Sequence, residues 1–559
     1  MNCLGPVVVR IQAKSFVVTN KISKKTEDLL VEAADVITLS SSGYQPKAYI
    51  EMNENPLTDD DITTSYVDLG WKKEGTEYSD EWTKKYVKEY KRQVSPHFST
   101  SILGKDDFFT KYTCVEKITS KLLSNKILFP IKDTAVYTDD NEILTDMYLG
   151  EGEGQALPKS YNTDFNMQTD ASFNRIFFYG MGATLLAAQD ENAPMPRPDL
   201  GPFVVDLPLQ DLEVRKGFRR YGVRIHFNAE QEATAIHDYA NEKTIKPGED
   251  GWDQAKWLAK VNTFFFVTAR EHLVWTHLIV SNAATRESTV ELPPNHPLRR
   301  LLTIFTFRST EVNHQAFDSL VPLNSFLHRS CALTDTSFTK LFDSAYASSN
   351  VFEPFPDRQI TPALQELTDQ GKFPFVSEGC EYYMIVTQFV EEWISNAGVD
   401  KILDKRGLSF YENMRASSLG QKYEIPAFET VDDMVNLVSQ IIFTVTAYHE
   451  LVGHVVDYTS DINRAGFRIA ETDETTLDVQ ALLLTGLISA STSVRMPPLM
   501  AEYKDFFGAG GAPRYERVAW DAFVSQLKAQ SKKVQENDSK REVEFKYFDP
   551  ARFETSVSV

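Results

Sequence analysis

Cysteine is scarce in this chain: four thiols, Cys3, Cys114, Cys331 and Cys380, are scattered through 559 residues with no CxxC or finger-like spacing. That argues against a cysteine-built zinc or iron–sulfur site and suits a reducing compartment better than a disulfide scaffold. Long apolar runs are missing as well, none approaching the roughly 20 residues a membrane-spanning helix needs. There is no basic excess: 58 Lys and Arg stand against 79 Asp and Glu, a formal charge of −21. Such a surface repels phosphate backbones and anionic membranes, so no nucleic-acid partner is expected. The opening MNCLGPVVVRIQ lacks the apolar core and cleavage site of a signal peptide. The expected location is cytoplasmic, with an organelle-targeting segment already removed as the alternative.

What is present is apolar mass, with 42% hydrophobic and 12% aromatic residues, enough for a sizeable core. Residues 1–150 read as a lead-in of strands followed, from about Asp80, by helices; the glycine-containing GEGEGQALPKS stretch closes it. Residues 151–559 read as one further domain. The proline-rich segment 193–208 reads as an ordered loop on the domain surface. Beyond Gly251 the chain reads as mainly helical, with long candidates at 253–284, 379–397, 429–458 and 473–491. Their all-round apolarity marks them as buried central helices. The charged run 528–544 reads as a helix or a solvated linker, solvation being the simpler case.

Four of the ten histidines form two pairs of equal spacing, His272/His277 in FFFVTAREHLVWTHLIV and His449/His454 in IIFTVTAYHELVGHVV. On a regular α-helix, i and i+5 diverge by about 140°. A π-bulge brings them onto one face, and such bulges cluster at functional sites. Two bulged helices facing each other would present four imidazoles to one point, suited to iron, copper, nickel or zinc. Each histidine alone would more often be a core residue bonded to a carbonyl. HELVGH also suggests a zinc peptidase, with Glu450 as base and Glu471 or Glu474 as third ligand. That alternative leaves His272 and His277 unexplained.

The wider pattern resembles the lipoxygenase family. WDQAKW opens the first histidine helix and HPLRRLL follows it; STEVNHQAFDSL supplies an asparagine phrase, TDASFNRIFFYGMGATLL precedes them, and VTAYHELVGHVVDY follows. The chain closes on ARFETSVSV. The resemblance covers roughly residues 160–559. It implies a mainly α fold, a large helical bundle around two long central helices with minor β elements.

The resemblance further implies a non-haem iron dioxygenase of oxylipin lipid metabolism, with manganese as the alternative metal. A metal-bound hydroxide would abstract hydrogen from the cis,cis-1,4-pentadiene of a polyunsaturated fatty acid, and O2 would add to give a hydroperoxide. His272, His277 and His449 match the metal ligands, and Val559 matches the terminal residue whose carboxylate joins them. His454 matches the fourth, variable ligand if one residue is inserted in its helix, as the long His449–Tyr458 interval suggests. Ala316, Leu320 and Leu327 match positions around the substrate, each equally readable as ordinary core. No side-chain acid or base is assigned. Peripheral membrane or lipid-droplet contact is an expected partner surface.

The chain departs from the family where HLIVSN lacks a carboxylate, where VVDY replaces a GQY phrase, and where Val267 replaces a histidine. These departures lie where supporting contacts tune a metal. They leave open a diverged homologue that isomerises or cleaves hydroperoxides, or is inactive.

Overall fold

The computed structural model describes residues 169–189, 197–293, 296–306, 326–355, 362–458, 466–471 and 513–557. It also describes positions 137–138, 309, 313, 320–321, 323, 357, 477–478 and 499–500. Apart from Tyr137 and Thr138, the lead-in 1–150 lies outside the described residues, and so does its expected order of strands and helices.

Helix α1 (Asp170–Tyr179) starts where Thr169 caps it, its hydroxyl accepting from the Ser172 amide at 3.1 Å. A five-stranded antiparallel sheet follows, β2 (Ala187–Ala188), β3 (Phe203–Leu207), β4 (Val223–Phe227), β5 (Ala233–Asp238) and β6 (Lys243–Ile245), in sequential order. Strand β1 (Tyr137–Thr138) stands apart, pairing with β7 (Leu477–Asp478). The segment expected as a loop over 193–208 thus contains β3, paired residue by residue with β4 from Phe203↔Phe227 to Leu207↔Val223. Its prolines precede the strand, and the apolar FVVDL run buries four of its five residues.

The sheet packs on α2 (Trp252–Phe266), whose buried Asn262 accepts from the Gly222 amide at 2.7 Å. From α2 the chain runs without a break through a π-helical stretch, Val267–Ser281, into α3 (Asn282–Glu291). After α4 (Pro297–Phe305), α5 (Phe326–Ser330) and α6 (Asp335–Ala347) comes the long α7 (Pro374–Ala397). The second central helix is α8 (Val431–Phe443), a short π segment Thr444–Tyr448, and α9 (His449–Gly453). Its start carries a reciprocal cap between Thr430 and Asp433.

Helix α10 (Arg514–Asp538) packs along α7, with Phe389 and Phe523 stacked at 4.3 Å. It absorbs most of the charged run 528–544, as far as Asp538, so that stretch is no linker. Gln530, Ser531 and Val534 are buried on one face, and Gln530 donates to the Glu378 carbonyl at 3.2 Å. Buried Arg300 of α4 and Glu516 of α10 form a two-pronged ion pair, both contacts at 2.5 Å. The expected helix 473–491 mostly lies outside the described residues; Leu477 and Asp478 within it are strand. A short apolar run does not by itself separate a buried strand from a helix. Among the described residues no helix is long and apolar enough to cross a membrane.

Candidate metal centre

Both central helices are apolar around their circumference, so every polar group on them needs an internal partner. In Val267–Ser281 the backbone widens to π geometry over fifteen residues, more than the single bulged turn the histidine spacing required. The amide of Asn282 donates to the His277 carbonyl, and the Thr276 hydroxyl donates to the Glu271 carbonyl at 2.8 Å. Both links span five residues, the step that stacks His277 over His272.

In the second helix the π segment ends at Tyr448, before His449. Residues His449–Gly453 return to α geometry, and at His454 the backbone leaves the helix with ψ 60°.

Three buried histidines converge. His272 and His277 approach through their Nε2 atoms at 3.1 Å, and each lies 3.2 Å from His449 Nε2. Three nitrogens so spaced can all sit at the ~2.1 Å a metal–imidazole bond requires from one ion. Asn313 settles the tautomer of His277. Its amide nitrogen donates to the His277 carbonyl at 2.9 Å and to Asn282 Oδ1 at 2.6 Å. Its oxygen must then accept from His277 Nδ1–H, at 2.9 Å, leaving the Nε2 lone pair aimed at the other two rings.

Burial holds His272 well below the ordinary imidazole range, with His277 adding to the effect. Burial likewise pulls His277 down to about 4 against the opposing Asn313 bond. Neutral imidazoles crowded lone pair to lone pair repel one another, and a cation between them removes that repulsion. The donor set, all imidazole, fits a borderline transition metal such as iron, zinc or copper.

His454 does not join this group: among the described residues the cluster contains His272, His277 and His449 alone. The His454 Nε2 instead lies 3.5 Å from Asp457 Oδ1. No widened turn lies between His449 and His454: the π segment falls N-terminal to His449, and the α-helix that follows ends before His454.

Leu327 is fully buried and Leu320 is half-buried against the core. Ala316 and Val559 lie outside the described residues. Phe264 packs against Tyr458 and Phe467, and Phe305 against Phe389 and Trp520.

Sequence reasoning missed Glu271 and Tyr448. The Tyr448 hydroxyl donates to Glu271 Oε2 at 2.8 Å, and Arg270 bonds the other carboxylate oxygen. The Arg270 guanidinium in turn lies over the Trp275 and Phe266 rings, 4.5 and 4.3 Å from their centroids. The available signal was a charged residue and a tyrosine directly before each ligand-type histidine in otherwise apolar helices.

No family model matches the chain. Human polyunsaturated fatty acid lipoxygenase ALOX15B is 24% identical over 347 residues, which cover 57% of this chain and 50% of that protein. The match thus spans about half the length of that relative. The crystal structure of coral 8R-lipoxygenase superimposes with a TM-score of 0.65 at 15% identity, over 87% of this chain and 83% of that one. The Delta413-417:GS LOX in complex with arachidonate gives 0.66 at 14% identity, with the same coverage. The chain therefore has the mainly α-helical lipoxygenase fold.

Proposed function

We propose that this chain, a relative of the lipoxygenase catalytic domain, is a non-haem iron dioxygenase acting on polyunsaturated fatty acids. It would add O2 to a cis,cis-1,4-pentadiene and release a hydroperoxide. The observation that carries this reading is the buried triangle of His272, His277 and His449 nitrogens, 3.1–3.2 Å apart. These three would hold the metal, which supplies one-electron redox chemistry when bound; manganese is the alternative ion. The terminal carboxylate of Val559 is a proposed further ligand, and Ala316, Leu320 and Leu327 are proposed substrate contacts.

The chain's own work is to hold His272 and His277 neutral, to orient the three imidazoles and to keep water out. Asn313 orients His277, and the Arg270–Glu271–Tyr448 link joins the two helices directly before His272 and His449. The fatty-acid substrate is supported by the arachidonate bound in a structural neighbour. A second reading, a homologue that isomerises or cleaves hydroperoxides or is inactive, draws support from the position of His454 outside the histidine group. Conjugated-diene absorbance with linoleate, measured on protein whose metal content is known, separates the two. Iron-loaded protein that forms no diene from linoleate or a longer polyunsaturated acid would defeat the dioxygenase reading.

A further inference from the structure

One arginine serves two buried carboxylates where the chain turns back after α10. Arg541 Nη1 donates to Asp538 Oδ1 at 2.8 Å, and its Nη2 donates to Glu378 Oε1 of α7. The Glu378 side chain is 3% exposed and that of Asp538 10%. With both carboxylates ionised, the group would hold an uncompensated negative charge away from water, which is costly unless a proton neutralises it. Burial accordingly pushes Glu378 up to about 7, against the Arg541 contacts; the Asp538 charge adds to the rise and an Asn537 bond opposes it. Burial raises Asp538 as well. From α1, Tyr179 faces the charges of Arg541 and Glu542, and Arg175 pairs with exposed Glu542 at 3.4 Å.

The same residues hold the segment that follows. Asp538 Oδ1 also accepts from the Phe545 amide at 2.8 Å, closing the turn on the carboxylate that Arg541 grips. Further on, Phe548 lies over Gly379, the neighbour of Glu378: a Cβ on Gly379 would come within 2.8 Å of the Phe548 ring. Between these anchors the Tyr547 hydroxyl donates at 2.6 Å to Asp457, just past the second central helix and 3.5 Å from His454. We infer that Glu378, Asp538 and Arg541 form a proton-held clasp on the C-terminal return, closed with Glu378 protonated and loosened over residues 539–548 when that proton leaves. The Tyr547–Asp457 bond carries the change to the end of the helix that bears His449. The clasp is independent of the metal-centre reading.

A carboxyl raised in the closed state binds its proton more tightly closed than open. The closed form therefore gains as pH falls from about 7 toward the ordinary glutamate value of 4.5, and loses that gain as pH rises again. Hydrogen exchange of the full chain, read by mass spectrometry and corrected for intrinsic amide rates, measures the opening. In wild type the protection of residues 539–548 should fall by up to about tenfold per pH unit between pH 5 and 7 and level off above. Glu378→Gln, neutral throughout, should keep the acid-side protection at every pH. Asp538→Asn can still accept from Phe545 but removes the competing charge, so its fall should level off at lower pH. Wild-type protection that does not change over this range would overturn the inference, whatever the variants do. So would a wild-type pH profile in Glu378→Gln, an unmoved plateau in Asp538→Asn, or an equal fall in the amides around Phe523, which would place the effect in global stability.

Discussion

Tyr448 and Glu271 meet across the two central helices, the phenol donating to the carboxylate at 2.8 Å, and each directly precedes a histidine of the converging triangle. The bond therefore ties the two backbones at the level of the metal centre. Replacing Tyr448 by Phe leaves a buried carboxylate oxygen without this donor, a loss worth roughly 1–3 kcal/mol. We expect Tyr448→Phe to lower stability by that amount and to weaken metal affinity, with Glu271→Gln, which can still accept the bond, weakening it less. Equal metal affinity in wild type and Tyr448→Phe would remove Tyr448 from any positioning role.

Asn313 offers a cleaner separation of orientation from packing. Asn313→Asp keeps the acceptor for His277 Nδ1–H but loses the donor to the His277 carbonyl and Asn282. Asn313→Leu loses both. Outer contacts of this kind are typically worth about 10–100-fold in metal affinity. Leucine should fall in that range and aspartate should fall less. Titration of the metal-free protein with Fe(II) measures both, and indistinguishable affinities would show that Asn313 does not orient the ligand.

The acid limb of stability has an identifiable contributor away from the triangle. His328, fully buried, lies against the Leu333 carbonyl at 3.1 Å and is pulled down to about 3, chiefly by burial and then by the Arg215 charge. Arg329 acts in the same direction, while Asp335 stands 3.8 Å away. Because the folded state keeps this ring neutral, its contribution is complete above the ordinary imidazole value of 6.5 and drains away as pH falls toward 3. His328→Gln retains a donor for the carbonyl and cannot titrate. Denaturant melts between pH 6.5 and 4 should show a slope reduced by up to ~1.4 kcal/mol per pH unit. An unchanged slope would mean that His328 is not kept neutral.

The fold class was legible because apolar residues run around whole helices, and because the first histidine pair has a spacing that only a widened helix can align. Charge along 528–544 hid a buried stripe in α10: Val534 and the short polar Gln530 and Ser531 sit against α7 while the lysines face outward. The sheet was less legible. Its strands are short, and β3 follows a cluster of prolines that reads as loop. His454 was misplaced for a local reason: equal spacing of two pairs does not make two equal helices. Where the π step falls depends on tertiary packing, and here it precedes His449. Glu271 and Tyr448 left only a faint trace, since a buried pair joining residues 271 and 448 has no local pattern.

The central claim, a metal held by His272, His277 and His449 without His454, is tested most directly by elemental analysis. Wild type, His449→Ala and His454→Ala would be purified alike, with folding verified by circular dichroism. The triangle predicts stoichiometric iron in wild type and in His454→Ala, and its loss from His449→Ala. Equal loss of iron from both variants, or a wild type without metal, would contradict it.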